Sequence, residues 1–162
     1  MRLTVYTDYA LRVLMYLSVH TDPLPTIAEI AESYRISRSH VMKVAYELGH
    51  AGYIETVRGK KGGLRLARSP SEIRLGEVIR RTEPDMALVA CFEPAKVQCV
   101  LSSDCRLRST LYQAQAAFLE VLDRFTLADL VSHRAVLTGL LARSGSTESD
   151  PQDALAGVPD PA

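Results

Sequence analysis

Cys91, Cys99 and Cys105 are the only thiols of the chain, and all three fall in one 15-residue window. Seven residues separate the first pair and five the second. Thiolates this close suit a soft metal centre, either zinc or an iron–sulfur cluster. Spacing does not choose between them. Zinc usually brings a C-x2-4-C pair and four nitrogen or sulfur ligands, and that pair is absent. An iron–sulfur cluster needs a fourth ligand from elsewhere. The blander reading is three small apolar side chains in a core. A disulfide is disfavoured because nothing points to an oxidising compartment. A second chemical signal is basic: Arg58 to Arg68 holds five bases and no acid.

The whole chain bounds what these residues can serve. At 162 residues with 47% hydrophobic content it reads as one globular domain or slightly more. The N-terminus has no basic region followed by an apolar run, so it is not a signal peptide. No apolar stretch approaches the roughly 18 residues that span a bilayer. A cytoplasmic protein with reduced thiols and no membrane partner is expected. Formal net charge is zero, but residues 144–162 carry four acids and no base. The first 143 residues therefore hold all 19 bases against 15 acids, and local clustering matters more for binding than the global sum. Enzyme signatures are missing: there is no G-x-S-x-G, H-E-x-x-H or dinucleotide fingerprint. His20, His40, His50 and His133 lack ligand spacing, and Asp123 and Asp129 sit on helices without an evident pocket. An enzyme is not expected.

The elements that must position these residues follow in order. Thr7 can cap a first helix with Asp8 against its dipole. Ala10, Val13, Leu14 and Leu17 give its buried face, widened by Leu11 and Met15. Two prolines in Thr21–Pro25 enforce a loop. Thr26 and Glu29 form a capping box for a second helix, which stops near Tyr34-Arg35-Ile36. Ser37 caps a third helix whose inner face is Val41, Val44, Ala45 and Leu48. Its outer face carries Ser39, Lys43 and Tyr46, with His40 beside them and Arg38 at the start. Such a pair of helices reads as helix-turn-helix, the second entering a DNA major groove.

Tyr53–Val57 and Leu64–Ala67 read as strands around the glycine-rich basic turn Arg58–Gly63. A hairpin with a basic tip directly after a recognition helix is a wing. No phosphate-loop pattern is present there. Ser69-Pro70-Ser71 reads as a linker, and Leu75, Val78 and Ile79 mark a short helix ending near Thr82. The cysteine stretch is loop-like, with Pro94 and a Ser-Ser-Asp turn. A long helix follows whose Leu107, Leu111, Ala114, Phe118, Val121 and Phe125 form a heptad seam. A lone helix cannot bury such a seam, and a second copy is its favoured partner. Thr126 caps a last short helix through Val131, and 144–162 reads as a disordered acidic tail. The fold class is mainly α with a small β-hairpin wing: a winged helix-turn-helix plus a long dimerisation helix. The boundaries expected are 1–82 for the DNA-binding domain, 83–105 for the cluster-binding loop, 106–143 for the dimerisation and C-terminal helices, and 144–162 for the tail.

Three stretches carry a specific resemblance: Thr7-Asp8-Tyr9-Ala10-Leu11-Arg12, Ile36-Ser37-Arg38-Ser39-His40-Val41-Met42-Lys43-Val44, and Val57-Arg58-Gly59-Lys60-Lys61-Gly62-Gly63-Leu64-Arg65-Leu66. They resemble the iron–sulfur winged-helix repressors, and within them the members that sense nitric oxide. Thr82-Glu83-Pro84, Cys91-Phe92, Cys105-Arg106-Leu107 and Phe125–Leu130 also fit, so the likeness covers about residues 1–131. The resemblance implies a homodimer with one cluster per subunit, [4Fe-4S] in preference to [2Fe-2S], ligated by Cys91, Cys99 and Cys105. Asp8 stands where some of these repressors supply a fourth ligand from the partner subunit; the competing reading is a simple helix-dipole acid.

The function implied is repression at a palindromic double-stranded operator, released when nitric oxide nitrosylates the cluster. Arg12, Lys43, Arg58, Lys60 and Lys61 are the candidate phosphate contacts, with Arg38, Ser39 and His40 nearer base edges. One branch of the family has a histidine three residues after the last cysteine, where this chain has Arg108. An iron-sensing branch shares the C-x7-C-x5-C spacing. An iron- or redox-responsive regulator of the same family, or a zinc or thiol winged-helix regulator, is therefore the alternative.

Overall fold

The computed structural model describes residues 2–93, 99–101 and 104–144, with side chains as far as residue 142. Pro94, Ser102 and Ser103 of the expected cysteine loop, and the acidic tail past Ser144, lie outside the described residues. The elements are α1 (Val5–Val19), α2 (Ile27–Tyr34), α3 (Arg38–His50), β1 (Ile54–Val57), β2 (Gly63–Leu66), α4 (Leu75–Thr82), α5 (Arg106–Asp123), α6 (Leu127–Leu130) and α7 (Arg134–Ser144). Among the described residues, no helix is long and apolar enough to cross a membrane.

The apolar faces expected of α1 and α3 are the core. Ala10, Val13, Leu14 and Leu17 of α1 and Val41, Val44, Ala45 and Leu48 of α3 are all buried. Each large side chain hidden this way contributes roughly 1.5–3 kcal/mol. Ile30, Ile54, Leu64, Ile73, Val78 and Leu127 join the same cluster.

The start of α1 corrects the expectation. Its N-cap is Thr4, whose Oγ1 accepts from the Thr7 backbone N–H at 3.2 Å, while Thr7 is fully buried in the first turn. The reason is tertiary. Glu83, the C-cap residue of α4, accepts from the Thr4 N–H at 2.8 Å and from its hydroxyl at 3.1 Å. That partner is 79 residues away, so local sequence could not rank the two threonines.

The helix-turn-helix is built as expected. Thr26 and Glu29 form the capping box, and hydrogen bonds from Thr26 hold the Glu29 carboxyl below its ordinary range. Arg35 closes α2 in the left-handed conformation at φ 52°, and Ser37 caps α3. The strands pair antiparallel from Ile54↔Leu66 to Val57↔Gly63. Gly59 at the tip sits at φ +117°, a backbone that L side chains rarely adopt. Ser69–Ser71, expected as a linker, instead opens a 3-10 turn (Pro70–Glu72), because Glu72 reaches back to the Ser69 N–H at 3.0 Å.

The hairpin is fastened at two places. Its return strand donates Leu64 N–H to Pro25 O at 2.8 Å, on the α1–α2 loop. At its base Tyr53 donates to Glu77 of α4 at 3.0 Å, and Arg68 pairs with the same carboxylate at 2.9 Å. Burial pushes Glu77 up, but hydrogen bonds from Arg68 and Tyr53 outweigh it and hold the carboxyl below its ordinary range. Burial, with Glu77 beside it, pushes the Tyr53 hydroxyl up to about 12.

Beyond α4 the chain differs from the domain core. No residue of α5 is buried in the single chain, and Leu107, Val121 and Phe125 of the expected seam are exposed. Its C-terminal end is nevertheless anchored. Arg80 of α4 forms a two-pronged pair with Asp123, which holds that carboxyl below its ordinary range. Arg74 donates to Asp123 O at 2.9 Å, and Leu75 N–H bonds to Phe125 O at 3.0 Å. The last short helix was expected to end at Val131; an eleven-residue helix, α7, follows it. No clean apolar stripe announces α7. It docks through Arg134, which donates to Val19 O at 2.8 and 3.1 Å, a carbonyl left open at the C-terminus of α1.

Gly63 is the close-approach point of the wing. A Cβ there would stand 2.7 Å from both Leu24 O and Pro25 O. Gly63→Ala should therefore destabilise the fold by about 1–3 kcal/mol and loosen the wing first. Thermal unfolding together with amide exchange at Leu64 checks this. An unchanged exchange rate there would contradict the fastening.

Candidate nucleic-acid interface and metal centre

The outer face of α3 is entirely open. Arg38, Ser39, His40, Lys43 and Tyr46 are all exposed, while the opposite face is core. Ser37 Oγ, the N-cap, lies 3.1 Å from Ser39 Oγ and 2.9 Å from His40 Nδ1. The His40 ring stands 5.9 Å from the Tyr9 ring of α1. The first turn of α3 thus presents hydroxyls, an imidazole and a guanidinium at its positive end, where base edges and phosphates are commonly met.

The structure divides the five bases of the wing. Arg65 pairs with Glu55 across the strands at 2.7 Å, and Arg68 is spent on Glu77 and the Tyr53 ring, 4.7 Å away. Arg58, Lys60 and Lys61 at the tip are exposed and carry no ion pair among the described residues. Charge without an internal partner is available to phosphate. Arg12, the candidate phosphate contact on α1, is paired in the single chain with Asp8 through contacts of 2.8 and 3.1 Å, 5.8 Å from the Tyr34 ring. Burial pushes the Tyr34 hydroxyl up to about 12 despite that guanidinium.

The cysteines are free thiols: Cys91 and Cys105 half-buried, Cys99 exposed. Cys91 sits in a 3-10 turn (Ala90–Phe92), and Cys105 is the N-cap of α5, its Sγ accepting the Arg108 N–H at 3.4 Å. An aromatic clasp joins the two. Phe92 stacks on Tyr112 of α5 with centroids 3.8 Å apart and planes 2° from parallel, and the Tyr112 hydroxyl faces Phe92 O at 3.5 Å. Arg108 lies over the same Tyr112 ring at 5.6 Å, and its Nε is buried with no hydrogen-bond partner among the described residues. Gln115 donates to Met86 O, so the segment before Cys91 also rests on α5.

Among the described residues of one chain, no three His, Cys, Asp or Glu side chains gather as a metal site. Asp8, half exposed on α1, is paired with Arg12 rather than with a cysteine. Sequence reasoning missed Glu83 and the Phe92–Tyr112 clasp. The two rings are 20 positions apart along the chain, and the only hint was an aromatic placed off the heptad seam.

This architecture, with an exposed recognition helix followed by a basic-tipped hairpin, is that of a winged helix-turn-helix DNA-binding regulator. The family described as "Rrf2: Iron-dependent Transcriptional regulator" matches residues 3–133, and the chain belongs to that family. The HTH-type transcriptional regulator NsrR of Geobacillus kaustophilus is 51% identical over 142 residues, covering 87% of this chain and 97% of the relative. The protein of the same name from Bacillus licheniformis is 49% identical over 143 residues, covering 88% and 100%. The solved structure of CymR, the global cysteine regulator of B. subtilis, is similar at TM-score 0.68 and 26% identity, covering 82% of this chain and 98% of that one.

The division of the wing bases is directly testable. Lys60→Ala or Lys61→Ala should weaken binding to all DNA and reduce the salt slope of affinity by about one each. Arg65→Ala should leave the slope nearly unchanged. Binding measured across a salt series decides; equal effects at the three positions would remove the distinction.

Proposed function

We propose that the chain is a repressor that binds a palindromic operator as a homodimer, and that Cys91, Cys99 and Cys105 hold an iron–sulfur cluster, [4Fe-4S] in preference to [2Fe-2S]. Nitric oxide is the proposed signal, on the strength of the resemblance to nitric-oxide-sensing repressors and of the likeness to relatives named NsrR. The observation that carries the reading is the clasp that seats Cys91's turn on the helix Cys105 caps.

The donor set fits such a group. All three thiols are free, and the positive end of α5 faces Cys105 Sγ. Arg108, whose backbone N–H meets Cys105 Sγ, also has a side-chain Nε–H with no partner among the described residues, a donor of the kind an anionic sulfur-rich centre takes. When bound, the cluster supplies iron at which nitric oxide reacts. Asp8 of the partner subunit is the proposed fourth donor, sharing its carboxylate with Arg12 or giving up part of that pair. A carboxylate is harder than thiolate and makes that corner the labile one.

Transmission rests on this chain's own contacts. The cysteine segment begins at Glu83, which holds the N-cap of α1, and ends at α5, which Arg80 and Asp123 tie to α4. α1 packs directly on α3. Release of the cysteines loosens both ties, and the recognition helices of the two subunits lose their relative placing.

The first test is an anaerobic visible spectrum through a nitric oxide titration. A broad band near ~400 nm that bleaches with a few equivalents is expected. A band indifferent to nitric oxide but lost on chelation would point to iron sensing, and no band after reconstitution would point to zinc or thiol chemistry. The triple variant C91A/C99A/C105A should lose the cluster and derepress; full repression by it in cells would sink the sensor reading. Arg108→Ala should speed loss of iron to a chelator by about 10-fold, with Arg108→Lys intermediate. Equal rates in all three forms would deny Arg108 that role.

A further inference from the structure

The outer face of α3 holds one feature that phosphate and hydrogen-bonding contacts do not use. Met42 and Tyr46, one turn apart, are 57% and 63% exposed in a helix whose other large apolar side chains are buried. Single exposed apolar residues are ordinary. These two are adjacent and share a wall of an open cavity of about 410 Å³ between α3 and the hairpin, with Ala45, His50, Thr56 and Leu64. The Tyr46 ring meets His50 edge-on, with centroids 4.4 Å apart at 67°, which braces the ring. Around the pad lie Arg38, Ser39 and Lys43, and the basic wing tip follows. An apolar partner protein would gain nothing from that basic rim. A DNA duplex would, through charge complementarity.

We propose that Met42 and Tyr46 form an apolar pad that reads the 5-methyl group of a thymine in the major groove. The thymine methyl is the one apolar projection among the base edges of that groove, and it marks A·T against every other pair in the same orientation. Methionine suits the contact because its unbranched thioether adapts to the position of the methyl. Thr56 and Leu64 line the hairpin side of the cavity. Arg38, Ser39 and His40 then read or hold what lies beside that base pair, and Met42 and Tyr46 are the specificity-determining residues of the second and third turns. This rests on the reading that α3 enters the major groove.

The test keeps the protein whole. The full chain, purified anaerobically, selects a preferred site from random double-stranded DNA. Each thymine of the half-site is then replaced by deoxyuridine, which removes only the methyl. At one position the affinity should fall about fourfold, the equivalent of one buried methyl group at ~0.8 kcal/mol. Met42→Ala should lose a similar factor on the thymine site and become indifferent to deoxyuridine at that position alone, and Met42→Leu should retain the discrimination. Wild-type binding that is insensitive at every thymine overturns the pad. So does a sensitivity that persists unchanged in Met42→Ala and Tyr46→Ala. A chain that selects no site at all fails the major-groove reading itself, a different failure that the selection step reveals before any base is replaced.

Discussion

The carboxylate of Glu83 on the N-cap of α1 is the contact on which the arrangement of this molecule turns. A helix N-terminus leaves its first N–H groups without intrahelical partners, and α1 satisfies that need with Thr4 and a residue from the far end of α4. The result is a covalent and hydrogen-bonded loop. The chain leaves α4 at Glu83, runs through Cys91, Cys99 and Cys105, returns down α5, and is locked to α4 again by Arg80 and Asp123. The cysteine segment is therefore mechanically in series with the helix that backs the recognition helix.

Polar residues in this fold divide by whether they have an internal partner. Arg65 and Arg68 look like DNA-binding residues in sequence but serve the hairpin and its base. Arg12 stabilises Asp8, and Arg134 serves the end of α1. Among the described residues, the exposed bases without an ion pair include Arg38 and Lys43 of α3 and Arg58, Lys60 and Lys61 of the wing tip, and that cluster is the electrostatic footprint of a DNA-binding face. Exposed pairs such as these contribute little stability individually. Their consequence is selective: they decide which cations are left for phosphate.

The apolar seam of α5 tells a complementary story. Six residues at alternating spacings of four and three cannot all face the small α4 surface available, and the single chain leaves Leu107, Val121 and Phe125 open. The middle of α5 is met by the Phe92 ring and by Met86 O, and its C-terminal end is held by polar groups of α4. Such a helix is stable only with a further apolar surface against it, in keeping with assembly as a homodimer.

Most of the helix-turn-helix and wing was legible in the chain because local physics decides it. The capping box at Thr26 and Glu29, the Ser37 cap, the i, i+3, i+4, i+7 faces of α1 and α3 and the glycine-rich basic turn each act over a few residues. The cysteine window was equally visible as chemistry. Three things were decided only in three dimensions. Thr4 rather than Thr7 caps α1 because Glu83 comes from 79 residues away. α7 is docked by Arg134 on the carbonyl of Val19, 115 residues away, and by Leu141 packed against the core. Cys91 and Cys105 are joined by a ring stack between residues whose types alone predict nothing about each other. Sequence determines what a neighbour along the chain can satisfy; a donor, a carbonyl or a ring face that needs a distant partner is settled only when packing brings that partner within reach.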